Sequence, residues 1–153
     1  MERMEHRESG IATCYTDGAS RGNPGPSACA YILTTGSGDV AEERAVFLGW
    51  GTNNEAEYRG LITGLAAAHR MGASRLVVCS DSELVIRQMN GSYRVASPRL
   101  RPLHDEAEAL TRLFREVRFR SVPREHPMIG RADSLCNQIL DEQGGRKDLD
   151  RSR

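Results

Sequence analysis

The chain has 153 residues, 39% hydrophobic and 27% charged, with 21 basic and 21 acidic side chains and a formal net charge of zero. That length suits one domain with its own core, and no run approaches the roughly eighteen apolar residues a membrane-spanning helix needs. Zero net charge provides no overall field to attract a polyanion, so any such attraction has to be local.

The segment 1–10 is polar, lacks an apolar signal-peptide core and is expected to be a disordered leader. One domain (11–143) and a polar, flexible tail (144–153) are expected to follow. Cys14, Cys29, Cys79 and Cys136 sit in apolar runs without CxxC spacing, which points to buried free thiols in a reducing, cytoplasmic setting. From Arg87 to Arg131 ten arginines stand against five acids, a local excess suited to planar, bidentate contact with phosphate.

Ile11 to Thr16 reads as a first strand ending in a carboxylate, Asp17. The loop after it, Gly18 to Pro26, is rich in glycine, proline and asparagine, residues that hold one shape while letting a ligand come close. Ser27–Thr35 and Val40–Gly49 are the next strands, joined by the turn signal Gly36-Ser37-Gly38-Asp39, so the three make an antiparallel meander. After a loop over Trp50–Asn54, a helix is expected from about Asn54 to Met71. Thr52 and Glu55 have capping-box spacing, and Tyr58, Leu61, Ile62, Leu65 and Ala68 form an apolar stripe.

Arg75–Ser80 is a nearly continuous apolar run, as in a central strand buried on both faces, and it too ends in an acid, Asp81. A short helix with Leu84, Val85, Gln88 and Met89 follows. A third helix opens near Pro98, with Leu103, Ala107, Leu110, Leu113 and Phe114 as its stripe. Arg118–Val122 alternates as a strand, Pro123–Gly130 reads as a loop, and Ala132, Leu135, Cys136, Ile139 and Leu140 mark a last helix. The order βββαβααβα predicts an α/β fold: a five-stranded mixed sheet with helices on both faces. In such sheets ligands sit at the carboxyl ends of neighbouring strands, where Asp17 and Asp81 would meet.

Singly, each acid has a structural explanation. Asp17 could begin a turn, Asp81-Ser82 could cap a helix, and Glu55, Glu57 and Asp133 could favour helix N-termini. Together at one rim they would raise one another's pKa unless a cation sat among them, and oxygen ligands suit magnesium or manganese. Two such ions about 4 Å apart are a standard device for phosphodiester displacement.

With these residues the chain resembles type 1 ribonuclease H from Ile11 to Glu142. The carriers are Thr16-Asp17-Gly18 with Gly22-Asn23-Pro24-Gly25, then Thr52-Asn53-Asn54-Glu55-Ala56-Glu57, Asp81-Ser82-Glu83-Leu84-Val85 and Arg131-Ala132-Asp133-Ser134-Leu135. The resemblance implies a ribonuclease H-like fold and hydrolysis of the RNA strand of an RNA/DNA hybrid, leaving 3′-hydroxyl and 5′-phosphate ends. It implies Asp17, Glu57, Asp81 and Asp133 as catalytic ligands of two Mg²⁺ ions, with Mn²⁺ as the alternative. The apolar stripe does not separate Glu55 from Glu57; the family pattern selects Glu57. Gly18, Ser20, Asn23, Asn53, Asn54 and Glu83 match positions near the minor groove, where 2′-hydroxyls distinguish RNA from DNA.

Two departures stand out. Asn90–Pro102 is too short for the basic protrusion of many bacterial relatives, so Arg94, Arg99 and Arg101 would supply a reduced phosphate grip, as in the archaeal-like short form. Before Asp133, His126 lies seven residues upstream and Arg124 nine; His126 is preferred as the proton shuttle during product departure and Arg124 as a substrate contact. The expected partner is the hybrid, bound by a monomer without a membrane, with double-stranded RNA left open as a further substrate. The alternatives are a non-catalytic hybrid-binding module and another phosphodiesterase of the same fold.

Overall fold

A computed structural model of the chain describes residues 10–151; positions 1–9 of the expected leader and 152–153 of the expected tail lie outside the described residues. Among the described residues the elements are β1 (Ile11–Ser20), β2 (Gly25–Thr34), β3 (Val40–Gly51), α1 (Asn53–Arg70), β4 (Arg75–Ser80), α2 (Glu83–Met89), α3 (Arg101–Thr111), β5 (Glu116–Ser121) and α4 (Pro127–Arg151). They form a five-stranded sheet in the order β3-β2-β1-β4-β5, antiparallel across β1–β2 and β2–β3 and parallel across β1–β4 and β4–β5. The expected α/β architecture is the one observed.

Each face of the sheet carries its own core. On one, Tyr58, Leu61 and Leu65 of α1 bury against Leu76 and Val78 of β4, and α3 adds Leu103 and Ala107. On the other, Ala132, Cys136 and Leu140 of α4 close over Ala28, Ala30 and Ile32 of β2. All four cysteines are buried and free, as their apolar settings predict. No helix among the described residues is long and apolar enough to cross a membrane.

Several boundaries differ from expectation, and one matters for the site. β1 does not stop at Thr16. It pairs with β4 only as far as Tyr15↔Cys79, but with β2 it continues through Asp17↔Ala30 to Ser20↔Ser27. Asp17 therefore lies within a strand that has lost its neighbour on one side, just where β4 ends at Ser80 and Asp81 begins. The two acids meet because one strand outruns the other.

The last helix starts at Pro127, inside the expected loop, because a proline at the first helical position loses no hydrogen bond and the His126 ring caps the turn. It continues to Arg151, into the segment expected as a flexible tail. α3 opens at Arg101 and ends at Thr111. Leu113, expected in its stripe, falls beyond the helix and is 53% exposed, while Phe114 still reaches the core. Trp50, expected in a loop, lies in β3 opposite Pro26, one residue before the strand ends, and is largely exposed.

Candidate active site

The N-terminus of α1 is held by the capping box that the spacing of Thr52 and Glu55 predicts. The Glu55 amide donates to Thr52 Oγ1 at 3.1 Å, and the Thr52 amide donates to Glu55 Oε1 at 3.0 Å. Glu55 is thus committed to the cap, with Arg99 3.7 Å from its carboxylate. Glu57 falls in the second turn and faces the end of β1 instead. Geometry separates the two glutamates that periodicity left together.

One carboxylate oxygen from each of Asp17, Glu57 and Asp81 lies within 4.8 Å of the other two. Asp133 of α4 lines the same cleft, where its charge acts on Asp17. None of these acids serves the structural purpose open to it singly. Asp17 begins no turn, since it is a ladder residue of β1. The hydroxyl of Ser82, not Asp81, caps α2, accepting from the Val85 amide at 3.4 Å. Glu57 and Asp133 both lie past the first turn of their helices, where the helix dipole no longer favours an acid.

The electrostatic strain is correspondingly large. Burial, then the charges of Asp81 and Asp133, pushes the Asp17 carboxyl up from 3.8 to about 8, against the lowering pull of the Gly18 amide. Glu57 is raised well above its ordinary value by burial, then by Asp17 and Asp81. Among the described residues, two buried side-chain oxygens find no hydrogen-bond partner, Asp17 Oδ2 and Glu57 Oε1, and both belong to this cluster. Buried oxygens without donors, gathered among like charges, fit a hard divalent cation held by carboxylates.

Around the acids, the loop after β1 is tied to the start of α1. The Ser20 amide donates to Asn53 Oδ1 at 2.8 Å, the Asn53 amide to Asn23 Oδ1 at 3.1 Å, and the Ser20 hydroxyl to the Gly51 carbonyl at 3.0 Å. Asn23 and Asn53 thus spend their carbonyl oxygens internally. Asn54, exposed on the cleft wall, makes no side-chain hydrogen bond among the described residues. Gly18 lies where a Cβ would come 2.3 Å from the Ala56 carbonyl carbon, so its first role is to let α1 approach β1.

Two expected site residues lie elsewhere. Glu83 is exposed on α2, paired with Arg87 at 2.8 Å. His126 does not line the cleft. Its Nδ1 accepts from the Met128 amide at 3.1 Å, and its ring lies 5.0 Å from that of Tyr15. Arg124 does line the cleft, where a substrate contact has to lie. Arg21 and Asn137 also border the cleft and were not singled out from the sequence. Asn137, four residues after Asp133 on α4, could have been found by helical spacing; nothing local marks Arg21.

A family model described as reverse transcriptase-like matches residues 15–139. The chain is 39% identical over 133 residues to ribonuclease HI of Halobacterium salinarum, covering 87% of this chain and 66% of that one. The crystal structure of RNase H1 from that archaeon superposes with a TM-score of 0.83 at 39% identity, over 86% of this chain and 98% of that one. The N-terminal RNase H domain of rv2228c from Mycobacterium tuberculosis gives a TM-score of 0.85 at 38% identity, over 90% and 98% of the two chains. The full-length bifunctional protein Rv2228c is 43% identical over 126 residues, which are 82% of this chain but 34% of its own length, so the chain spans about a third of that relative. LC11-RNase H1, solved in complex with an RNA/DNA hybrid, gives a TM-score of 0.81 at 34% identity, over 86% and 98% of the chains.

Proposed function

The chain belongs to the type 1 ribonuclease H family, and from that premise we propose that it is an endonuclease that hydrolyses the RNA strand of RNA/DNA hybrids, leaving 3′-hydroxyl and 5′-phosphate ends. The observation that carries this reading is the convergence of Asp17, Glu57, Asp81 and Asp133 on one open cleft, with two of their buried oxygens finding no donor among the described residues. Two divalent cations, Mg²⁺ or Mn²⁺, would supply an activated water and stabilise the leaving oxygen. Asp17 and Glu57 supply the buried oxygens for them, and Asp81 and Asp133 bring further negative charge from β4's end and from α4. The four buried free thiols favour a reducing cytoplasmic setting.

Substrate choice rests on the start of α1. Asn53 keeps an amide NH₂ to donate, while Asn54 retains both donor and acceptor toward a 2′-hydroxyl. Asn54→Ala is expected to weaken hybrid binding about tenfold, the scale of one hydrogen bond left unmade, and to leave double-stranded DNA binding alone. Fluorescence anisotropy with labelled duplexes measures both; equal losses on hybrid and DNA would remove Asn54 as the reader.

Arg124 and His126 separate by kinetics and melting. Arg124 borders the cleft as an exposed cation, so Arg124→Ala should raise KM. His126→Ala removes a helix cap worth about 1 kcal/mol and should lower Tm by about 3 °C with kcat little changed. A large kcat loss in His126→Ala alone would instead support the proton-shuttle assignment.

The activity itself is tested by incubating the protein with matched hybrid, double-stranded RNA and double-stranded DNA in Mg²⁺, Mn²⁺ or EDTA. Cleavage of the hybrid's RNA strand that stops in EDTA is the expected result. Hybrid binding without cleavage in either metal would favour the non-catalytic alternative, and cleavage of DNA alone the other phosphodiesterase.

A further inference from the structure

Asp133 stands on the opposite layer from its three companions. Asp17, Glu57 and Asp81 sit on β1, α1 and the end of β4, whereas Asp133 reaches the cleft from α4 across the other face of the sheet. Something has to set its carboxylate at the right height and angle. A helical side chain with two free torsions does not do this alone.

The structure contains a relay that does. Asn137, one helical turn along α4, donates from Nδ2 to Asp133 Oδ2 at 3.2 Å. Its other amide atom, Oδ1, accepts from Arg21 Nη2 at 3.4 Å. Arg21 comes from the connection between β1 and β2. Its Nη2 also donates to the Asn137 carbonyl at 3.3 Å and pairs with Asp141 Oδ1 at 2.6 Å. One guanidinium thus straps the loop to two successive turns of α4.

The chemistry of the amide gives this strap a direction. Asparagine presents an acceptor on one side and a donor on the other. With the guanidinium against its oxygen, the NH₂ must face Asp133. Flipped, the amide would set its oxygen against a carboxylate and its NH₂ against a cation, two repulsions in place of two attractions. We propose that Arg21 and Asn137 are positioning residues: Arg21 fixes the amide of Asn137, and Asn137 holds Asp133 in the orientation that completes the carboxylate cluster for a divalent cation.

This inference rests on the metal-dependent reading above, and its test keeps the two apart. Mn²⁺ is titrated by calorimetry into the full chain and into Asn137→Ala, Arg21→Met and the double variant, with melting in EDTA measured alongside. Each single change should weaken Mn²⁺ binding about tenfold, the lower end for groups that orient a ligand. The double variant should be no worse than either single, because the two act in series. Melting in EDTA should shift by no more than about 3 °C, since the contacts are solvent-facing. A further variant, Arg21→Lys, keeps a cation for Asp141 but loses the planar fork. Weakened Mn²⁺ binding with unchanged melting there would isolate orientation from strapping.

Mn²⁺ affinities within twofold of the parent in both single variants would overturn the proposal. So would fully additive losses, or an Arg21 variant that alters only KM for hybrid, which would make Arg21 a phosphate contact. A parent chain that binds no divalent ion would take down the metal reading and this inference with it.

Discussion

Replacing Asp17 with asparagine is expected to remove nearly all hybrid cleavage while making the metal-free protein more stable. The loss should reach at least about a thousandfold in kcat, the scale on which groups that act as a unit fail when one is removed. The gain in stability follows from the same burial. Asp17 is 6% exposed, its Oδ2 has no partner among the described residues, and Asp81 and Asp133 crowd it. In the unfolded chain this carboxyl loses its proton near 3.8; in the folded protein it holds it to about 8. Between those values the native state binds more protons than the unfolded state, so stability falls as pH rises. The contribution is fully present below about 4 and lost by about 8. Glu57 shifts in the same direction and adds to the slope. In EDTA the parent should therefore melt lower at pH 8 than at pH 5, and Mg²⁺ should recover the difference. Asparagine cannot ionise, so Asp17→Asn should show a shallower slope and melt about 5 °C above the parent at pH 8. Calorimetry across that range decides it: a parent whose Tm in EDTA is flat or rises with pH contradicts the crowding of these acids.

How much of this could be read from residues alone varied with the range of the interaction. The acids, the succession of elements along the chain and the capping box are legible because each depends on neighbours in sequence: a carboxylate after an apolar run, a T-x-x-E spacing, a stripe every three or four residues. The place of Asp17 inside β1 was not, because the strand is prolonged by its hairpin partner β2 and left single by the shorter β4. The start of α4 was misplaced for a local reason. Pro123, Pro127 and Gly130 punctuate the segment as a loop would be punctuated, yet a proline at the first helical position opens a helix. The same shift gives His126 a cap to make and turns it toward Tyr15, while Arg124 is left at the cleft. The contact between Arg21 and Asn137 spans 116 residues of sequence, and no local pattern announces it.

Gly60→Ala should destabilise the protein, against the sign that helix propensity gives. Inside an exposed helix, exchanging glycine for alanine gains about 1 kcal/mol. At Gly60 a Cβ would lie 2.7 Å from the carbonyl oxygen of Asp17, which is β1 backbone and cannot rotate away. At Gly64 it would lie 2.6 Å from Cys14 Sγ, a side-chain atom with somewhat more room to yield. Gly60 and Gly64, one turn apart, together with Gly18 let α1 lie directly on β1 and bring Glu57 beside Asp17. Forcing a methyl into that contact against fixed backbone costs about 2–3 kcal/mol, the upper part of the range for overpacking, which outweighs the propensity gain at Gly60. A net loss of about 1–2 kcal/mol should lower Tm by roughly 3–6 °C. Cleavage should fall as well, because the displaced backbone carries Asp17 itself. Gly144→Ala is the control: among the described residues, no atom beyond its chain neighbours and its own helix backbone lies within 4 Å of the added Cβ, so it should be neutral or slightly stabilising. If Gly60→Ala melts at or above the parent with full cleavage, α1 can slide over β1 without disturbing the acids, and the close approach is not what sets the distance from Glu57 to Asp17.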